Sequence, residues 1–244
     1  MAEEKISLNK YISATGYCSR READKLIEQG RVSINENVAL PGARVNPGDK
    51  VFIDDELLKV KPTAKNNWFI MAFNKPVNIT STTDEKDRSN IIRYINHPKR
   101  IFPIGRLDKD SEGLIFLTNN GDIVNKILRA GNEHEKEYIV TVDKKLTPDF
   151  AAKMSKGVHI LGTTTLPCKV RTISSKTFSI ILTQGLNRQI RRMCEVFGYE
   201  VVSLKRIRIM HIKLGNLAVG KWRYLSEPEM QEMMKMLEGS RNEQ

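Results

Sequence analysis

At 244 residues the chain is long enough to bury one sizeable core and to carry a small second domain. Lys and Arg total 40 against 29 Asp and Glu, a formal charge of +11, so polyanions, and nucleic acid above all, are the expected partners. No apolar run approaches the roughly 18 residues of a spanning helix, the N-terminus carries no apolar signal core, and three scattered cysteines with four histidines fit neither a disulfide framework nor zinc; the expectation is a cytoplasmic protein with no metal.

In chain order, residues 6–60 read as two short helices followed by a few strands. Leu8, Tyr11 and Ile12 recur at helical spacing up to Gly16, and Ser19 with Glu22 three residues on has the form of a capping box. Ala23, Leu26 and Ile27 supply the apolar stripe of the second helix, which Gly30 ends. Residues 31–34, 43–45 and 50–53 alternate like short strands between turn signals at 35–37 and 46–49. The stretch 59–67 is polar and holds Pro62, so a linker is placed over 61–67.

A larger domain is expected over 68–238, with a frayed tail at 239–244. Strands are predicted at 68–73, 113–117, 136–142, 178–182 and 201–208, the second as a continuous apolar run buried on both faces. Helices are predicted at 121–129, at 147–157 with Pro148 in the first turn, at 187–198, and from Ser226 with Glu229 completing a capping box. Met230, Met233, Met234 and Leu237 give that last helix a face that docks on the core. Strands and helices do not alternate regularly, which argues for an α+β arrangement.

Residues 1–61 hold ten basic and ten acidic residues, so the excess charge lies beyond them. The first domain's charge is nevertheless sorted: Arg20, Arg21, Lys25 and Arg31 cluster around the second helix, a surface for phosphates or simply a solvated helix face. In the larger domain the basic residues are densest from Arg188, Arg191 and Arg192 to Lys205, Arg206, Arg208 and Lys213, with Glu195 and Glu200 among them. On the helix, Ile190, Met193, Cys194 and Phe197 form one stripe, and Arg191 directly follows a core position, at the rim of a cleft or in a surface ion pair.

Before the apolar strand lies Gly105-Arg106-Leu107-Asp108-Lys109-Asp110-Ser111-Glu112-Gly113. A loop bounded by glycines and fixed by a buried strand can hold a carboxylate in a set direction for general-base or nucleophilic work, although charged loops are more often simply solvated. Arg106 and Lys109 favour an ionised carboxylate. Asp108, Asp110 and Glu112 also suit a plain polar turn better than a metal site. Tyr138 falls on the same strand face as Val140 and Val142, either as a packed aromatic or as a ring that stacks on a base.

Taken in order, Phe73-Asn74-Lys75-Pro76, Gly105-Arg106-Leu107-Asp108, Lys136-Glu137-Tyr138 and 185–193 (with Arg188, Arg191 and Arg192) resemble the motifs of the RsuA/RluB/RluE/RluF group of bacterial ribosomal-RNA pseudouridine synthases. The wording of 102–110 and 127–132 looks closest to the RluF branch. The first domain resembles the small RNA-binding domain named after ribosomal small-subunit protein S-four, carried by 8–10, 19–23, 27–30 and Gly48-Asp49. The resemblance implies an α+β protein: an S-four-type domain linked to a catalytic domain with a mixed, mainly antiparallel sheet. It implies isomerisation of a uridine in large-subunit (23S) RNA without a cofactor; a transfer RNA as a second substrate is an alternative that one chain does not decide, and nothing in the sequence demands more than a monomer. A non-catalytic RNA-binding assembly factor is the alternative reading.

Carried over by residue, Asp108 is the essential carboxylate, Tyr138 the ring that packs on the uracil, and Arg191 the partner of Asp108. Arg20, Arg21, Lys25, Arg31, Lys75, Arg106, Arg188, Arg192, Lys205 and Arg206 are the expected RNA contacts. Asn78 departs from the pattern, standing where relatives commonly have a glycine.

Overall fold

A computed structural model describes residues 5–58, 68–128 and 134–238. The predicted linker at 61–67, the tail at 239–244, and most of the wording at 127–132 lie outside the described residues. The chain divides into two compact units, residues 1–67 and 68–244, each built around its own core.

In the first unit β1 (Ile6–Ser7) leads into α1 (Leu8–Ala14) and α2 (Arg20–Glu28), followed by β2 (Val32–Ile34), β3 (Asn37–Val38), β4 (Arg44–Val45), β5 (Val51–Ile53) and β6 (Glu56–Leu57). The capping box forms: the Ser19 amide donates to Glu22 Oε2 at 2.7 Å and the Glu22 amide to Ser19 Oγ at 3.2 Å. Such reciprocal caps contribute about 1 kcal/mol, which matters for a helix of two to three turns. Leu8, Ile12, Ala23 and Ile27 pack with Val32, Val45, Val51 and Ile53 into the core, which leaves Arg20, Arg21 and Lys25 exposed on the other side of α2.

The second unit contains β7 (Ile70–Lys75), α3 (Ile91–Ile95), β8 (Phe102–Ile104), β9 (Glu112–Thr118), α4 (Asp122–Leu128), β10 (Lys136–Val142) and α5 (Phe150–Ser155). Then follow β11 (His159–Ile160), β12 (Thr163–Thr164), β13 (Lys169–Ser174), β14 (Thr177–Leu182), α6 (Gln189–Val196), β15 (Val201–Ile209), β16 (Ile212–Lys213), β17 (Trp222–Tyr224) and α7 (Glu227–Glu238). The main sheet runs β13-β14-β10-β15-β9-β7-β17, with β16 on β15 and β8 on β9. Every pairing in it is antiparallel except β15 with β9, so the α+β, mainly antiparallel expectation holds.

Two apolar layers sandwich the central strands. Met71, Phe73, Ile115 and Leu117 face one layer, with Val140, Phe178 and Met193. Ile70, Ala72, Leu114 and Phe116 face the other, closed by Met233 and Leu237 of α7. Strands buried on both faces cannot alternate with polar residues, which is why 113–117 reads as one apolar run.

Several boundaries differ from expectation. α5 opens at Phe150, because 147–149 form a turn with the Phe150 amide on the Thr147 carbonyl. α6 opens at Gln189, because Arg188 takes a left-handed φ of 48°. β13 went unpredicted because it is an edge strand with mostly exposed side chains, so no apolar alternation marks it.

Candidate active site

Asp108 lies on the segment between β8 and β9, and its neighbours are fixed one by one. Ser81 Oγ donates to the Leu107 carbonyl at 2.8 Å and accepts from the Leu107 amide at 3.2 Å. The Asn78 amide holds the Lys109 carbonyl at 2.7 Å, and the Ser111 amide holds that of Asp108 at 3.0 Å. Leu107 is itself buried in the core. A carboxylate on a backbone pinned on both sides meets the substrate without reordering its loop, which is what catalysis by position requires. Asn78, the departure from the family pattern, adopts φ 68°, a left-handed conformation that asparagine tolerates better than other residues with a side chain. Asn78 therefore makes here the left-handed turn for which a glycine is the usual choice.

The Asp108 side chain remains about one-third exposed, in the wall of a cleft of about 640 Å³. Thr80, Ser81, Arg106, Lys109, Asp110 and Arg188 line the same cleft. Each acid of the loop faces a cation. Arg188 Nη1 is 3.8 Å from Asp108 Oδ2, Arg188 also forks onto both Asp110 oxygens at 3.2 and 3.0 Å, and Lys205 meets Glu112 at 3.3 Å. Burial works against the Asp110 charge, but the Arg188 hydrogen bond and the charges of Arg191 and Arg188 together hold its carboxyl below the usual range.

Arg191 is not the partner of Asp108 that the sequence reading expected. It is buried, with Nε 3.3 Å from Asp110 Oδ2. Its terminal nitrogens donate to the carbonyls of Val201 at 3.1 Å and Asp110 at 2.9 Å and to Ser111 Oγ at 3.2 Å. The loop passes over α6 so that Asp110, two residues on, is within the reach of Arg191, while Arg188, one turn earlier in an exposed position, reaches Asp108. Arg191 thus fastens the carboxylate loop to α6 and β15.

Tyr138 is buried on the predicted strand face with Val140 and Val142, and its ring is outside the cleft's walls. Its hydroxyl accepts from Arg206 Nη1 at 3.4 Å. Two expected RNA contacts are buried and cannot touch RNA in this structure. Lys75, fully enclosed, donates to the carbonyls of Pro76 and Ile79, both at 2.9 Å. Burial first, and the Arg206 charge second, push its amine down to about 8 against the opposing pull of Asp108, Asp110 and Glu112. Arg206 is 4% exposed, with Nε on the Leu114 carbonyl at 2.6 Å. In both cases a long aliphatic stem fills core space; the Lys75 amine is met by backbone oxygens, the Arg206 guanidinium by one backbone oxygen and the Tyr138 hydroxyl.

The remaining basic residues stay at the surface. Arg106 is exposed, and Arg192 bonds the Asn187 carbonyl at 3.2 Å. In the first unit Arg31 is exposed yet forked onto Asp54, with Nε 2.7 Å from Oδ1. Sequence reasoning missed Ser81 altogether; a serine hydroxyl spent on a backbone amide and carbonyl 26 residues away leaves no local signal. Among the described residues no helix is long and apolar enough to cross a membrane.

Comparison with known proteins adds an independent line. The family profile described as RNA pseudouridylate synthase matches residues 70–196, and the S4 domain profile matches 7–51. The chain is 54% identical over 243 residues to the dual-specificity RNA pseudouridine synthase RluF of Escherichia coli strain K12, covering 100% of this chain and 83% of that protein. It is 32% identical over 243 residues to ribosomal large subunit pseudouridine synthase B of Bacillus subtilis strain 168, covering 96% of this chain and 98% of the relative. A solved pseudouridylate synthase superposes with a TM-score of 0.67 at 26% identity, covering 95% of this chain and 99% of the other.

Proposed function

The chain belongs to the RNA pseudouridylate synthase family, and from that premise we propose that it converts one specific uridine of large-subunit (23S) ribosomal RNA to pseudouridine, with Asp108 as the reacting carboxylate. The observation that carries the assignment is Asp108 itself: a part-exposed carboxylate in a cleft wall, on a backbone held at Leu107, Asp108 and Lys109. A transfer RNA is proposed as a second substrate, in keeping with the dual specificity named for the Escherichia coli relative. The protein is read as acting alone, as a cytoplasmic monomer with RNA as its partner.

The chemistry is a redox-neutral rearrangement. Uracil leaves the ribose through its ring nitrogen, turns, and rejoins through carbon 5, which then loses its proton. Nothing is added or removed overall, so a carboxylate, a ring to hold the detached base and donors for its oxygens suffice, and no cofactor enters. Asp108 starts the reaction either by attacking the ribose anomeric carbon or by taking the 2-prime proton to leave a glycal. Both require an ionised carboxylate, and the Arg188 guanidinium stands 3.8 Å from one of its oxygens. A target uridine deuterated at the 2-prime carbon separates them: a primary isotope effect on turnover belongs to the glycal route alone.

Tyr138 is assigned to packing on the uracil, a role that asks the nucleotide to enter past the cleft toward the core strand. Arg20, Arg21 and Lys25 are assigned to phosphates flanking the target, supported by their exposure on one side of α2. Mapping pseudouridines in ribosomal and transfer RNA from cells with and without the protein tests the substrate assignment. A site in 23S RNA that vanishes in its absence is the expected result; an unchanged map would overturn it.

A further inference from the structure

Arg206 has a structural setting that phosphate binding does not explain. Its backbone lies where β15 pairs with both β9 and β10: Arg206 is opposite Gly113 on one side and Tyr138 on the other. The β10 register slips between Glu137 and Tyr138, so that Glu137 faces Arg208 and Tyr138 faces Arg206, with Ile207 as the extra residue. Bulges of this kind re-aim the side chain that follows. On the β9 side a Cβ at Gly113 would lie 2.3 Å from the Arg206 carbonyl oxygen and 2.7 Å from its nitrogen. The two strands meet there only because Gly113 has no side chain.

The guanidinium then bridges the two neighbours. Nε donates to the Leu114 carbonyl of β9 at 2.6 Å, Nη1 donates to the Tyr138 hydroxyl at 3.4 Å, and the guanidinium carbon stands 5.9 Å from the centre of the Tyr138 ring. Nη2 is buried with no hydrogen-bond partner among the described residues. A guanidinium has donors and no acceptor, so the phenol oxygen must accept from it, and the phenol proton is left for another acceptor. Arg206 therefore fixes two properties of Tyr138: where the ring stands relative to β9, the strand that follows Asp108, and which way its proton can go.

We propose that Arg206 is a positioning residue for Tyr138, locking the ring and its hydroxyl in the pose that receives the detached uracil. The inference rests on the reading of Tyr138 given above. It also gives the otherwise costly burial of this charge a use: the leaving uracil carries the electron pair of the broken bond, and a desolvated cation behind the tyrosine favours that charge.

The test is a double-mutant cycle on the full chain, using transcribed 23S ribosomal RNA tritiated at uracil carbon 5 and reading kcat and KM from tritium release. Arg206→Gln and Tyr138→Phe are each expected to lower kcat by about 30-fold or more, with KM within about threefold. The double variant is expected to be no slower than the slower single, because both changes remove one interaction. Arg206→Lys, which keeps the charge but cannot span the Leu114 carbonyl and the tyrosine hydroxyl together, is expected to recover only part of the loss. Losses that multiply, or full kcat in Arg206→Gln, would overturn the proposal. If Arg206→Gln shows no cooperative melting transition, Tyr138→Phe decides alone, and an unchanged kcat there is equally fatal. Full turnover in Tyr138→Ala would instead remove the role assigned to Tyr138, and no label released by the unsubstituted chain would remove the proposed function; either takes this inference with it.

Discussion

Arg188 Nη1 stands 3.8 Å from Asp108 Oδ2, beyond hydrogen-bond range, while the same guanidinium forks at 3.2 and 3.0 Å onto Asp110. The cation is thus held beside Asp108, the carboxylate proposed to react, by a second acid, so Asp108 keeps a cationic neighbour without spending its lone pairs on it. Asp110 plays the anchoring part and Asp108 stays available.

This division of labour separates two arginines by what their loss does. Arg188 is exposed, so Arg188→Gln is expected to leave stability within about 0.5 kcal/mol while lowering turnover by about tenfold. Arg191→Gln removes bonds from a buried guanidinium to Val201, Asp110 and Ser111, and is expected to cost about 2–4 kcal/mol of stability. Chemical denaturation beside kinetics on both variants checks the split; equal stability losses would contradict it.

Gly113 is expected to tolerate no side chain. Its φ of 107° is strained for any other residue, and an added Cβ meets the Arg206 backbone, which cannot rotate away. Gly113→Ala should lower the unfolding free energy by about 3 kcal/mol or more. Gly185→Ala, with nothing within 4 Å of the added carbon, should stay within about 1 kcal/mol. Comparable midpoints in urea for the two variants would count against the tight β9 to β15 approach.

The Lys75 amine should titrate near pH 8 rather than 10.5, chiefly through burial and then through the charge of Arg206. A lysine with a lowered folded pKa binds fewer protons folded than unfolded between those values, so its contribution to stability rises with pH from about 8 to 10.5. Asp108→Asn removes one of the charges that oppose the shift and should lower the value further. NMR of the labelled lysine side chain reads both; a titration near 10.5 in the unsubstituted chain would refute the enclosure of Lys75 beside Asp108.

For the first unit the measurable quantity is salt dependence. Replacing Arg21 and Lys25 with alanine should weaken RNA binding and reduce the slope of log affinity against log salt by about 1.5, near the release of one counterion per contact. An unchanged slope would mean that this face of α2 does not meet phosphates.

How much of this was legible in the sequence follows from what leaves a local mark. The buried strand β9 and the caps at Ser19 and Ser226 are written in neighbouring residues, whereas the glycine-bounded loop offers three acids alike and only the ordered motifs single out Asp108. Which arginine serves which acid was not legible, because it depends on the path of the loop over α6, set by Ser81 and Arg191 from far along the chain. Lys75 and Arg206 were assigned to RNA because charge in a sequence reads as exposure. Their burial comes from the folded sheet: Lys75 ends β7 with its amine turned back onto the Pro76 and Ile79 carbonyls, and Arg206 meets the Leu114 carbonyl of the neighbouring strand, 92 residues away.

The central claim is that Asp108 performs chemistry on a uridine. Incubating the protein with 23S ribosomal RNA tritiated at uracil carbon 5 tests it most directly. The unsubstituted chain is expected to release label in proportion to pseudouridine formed, and Asp108→Asn, with unchanged RNA affinity and melting, to release none above background. Label released equally by both proteins would contradict the role of Asp108, and none from either would leave a protein that binds RNA without modifying it.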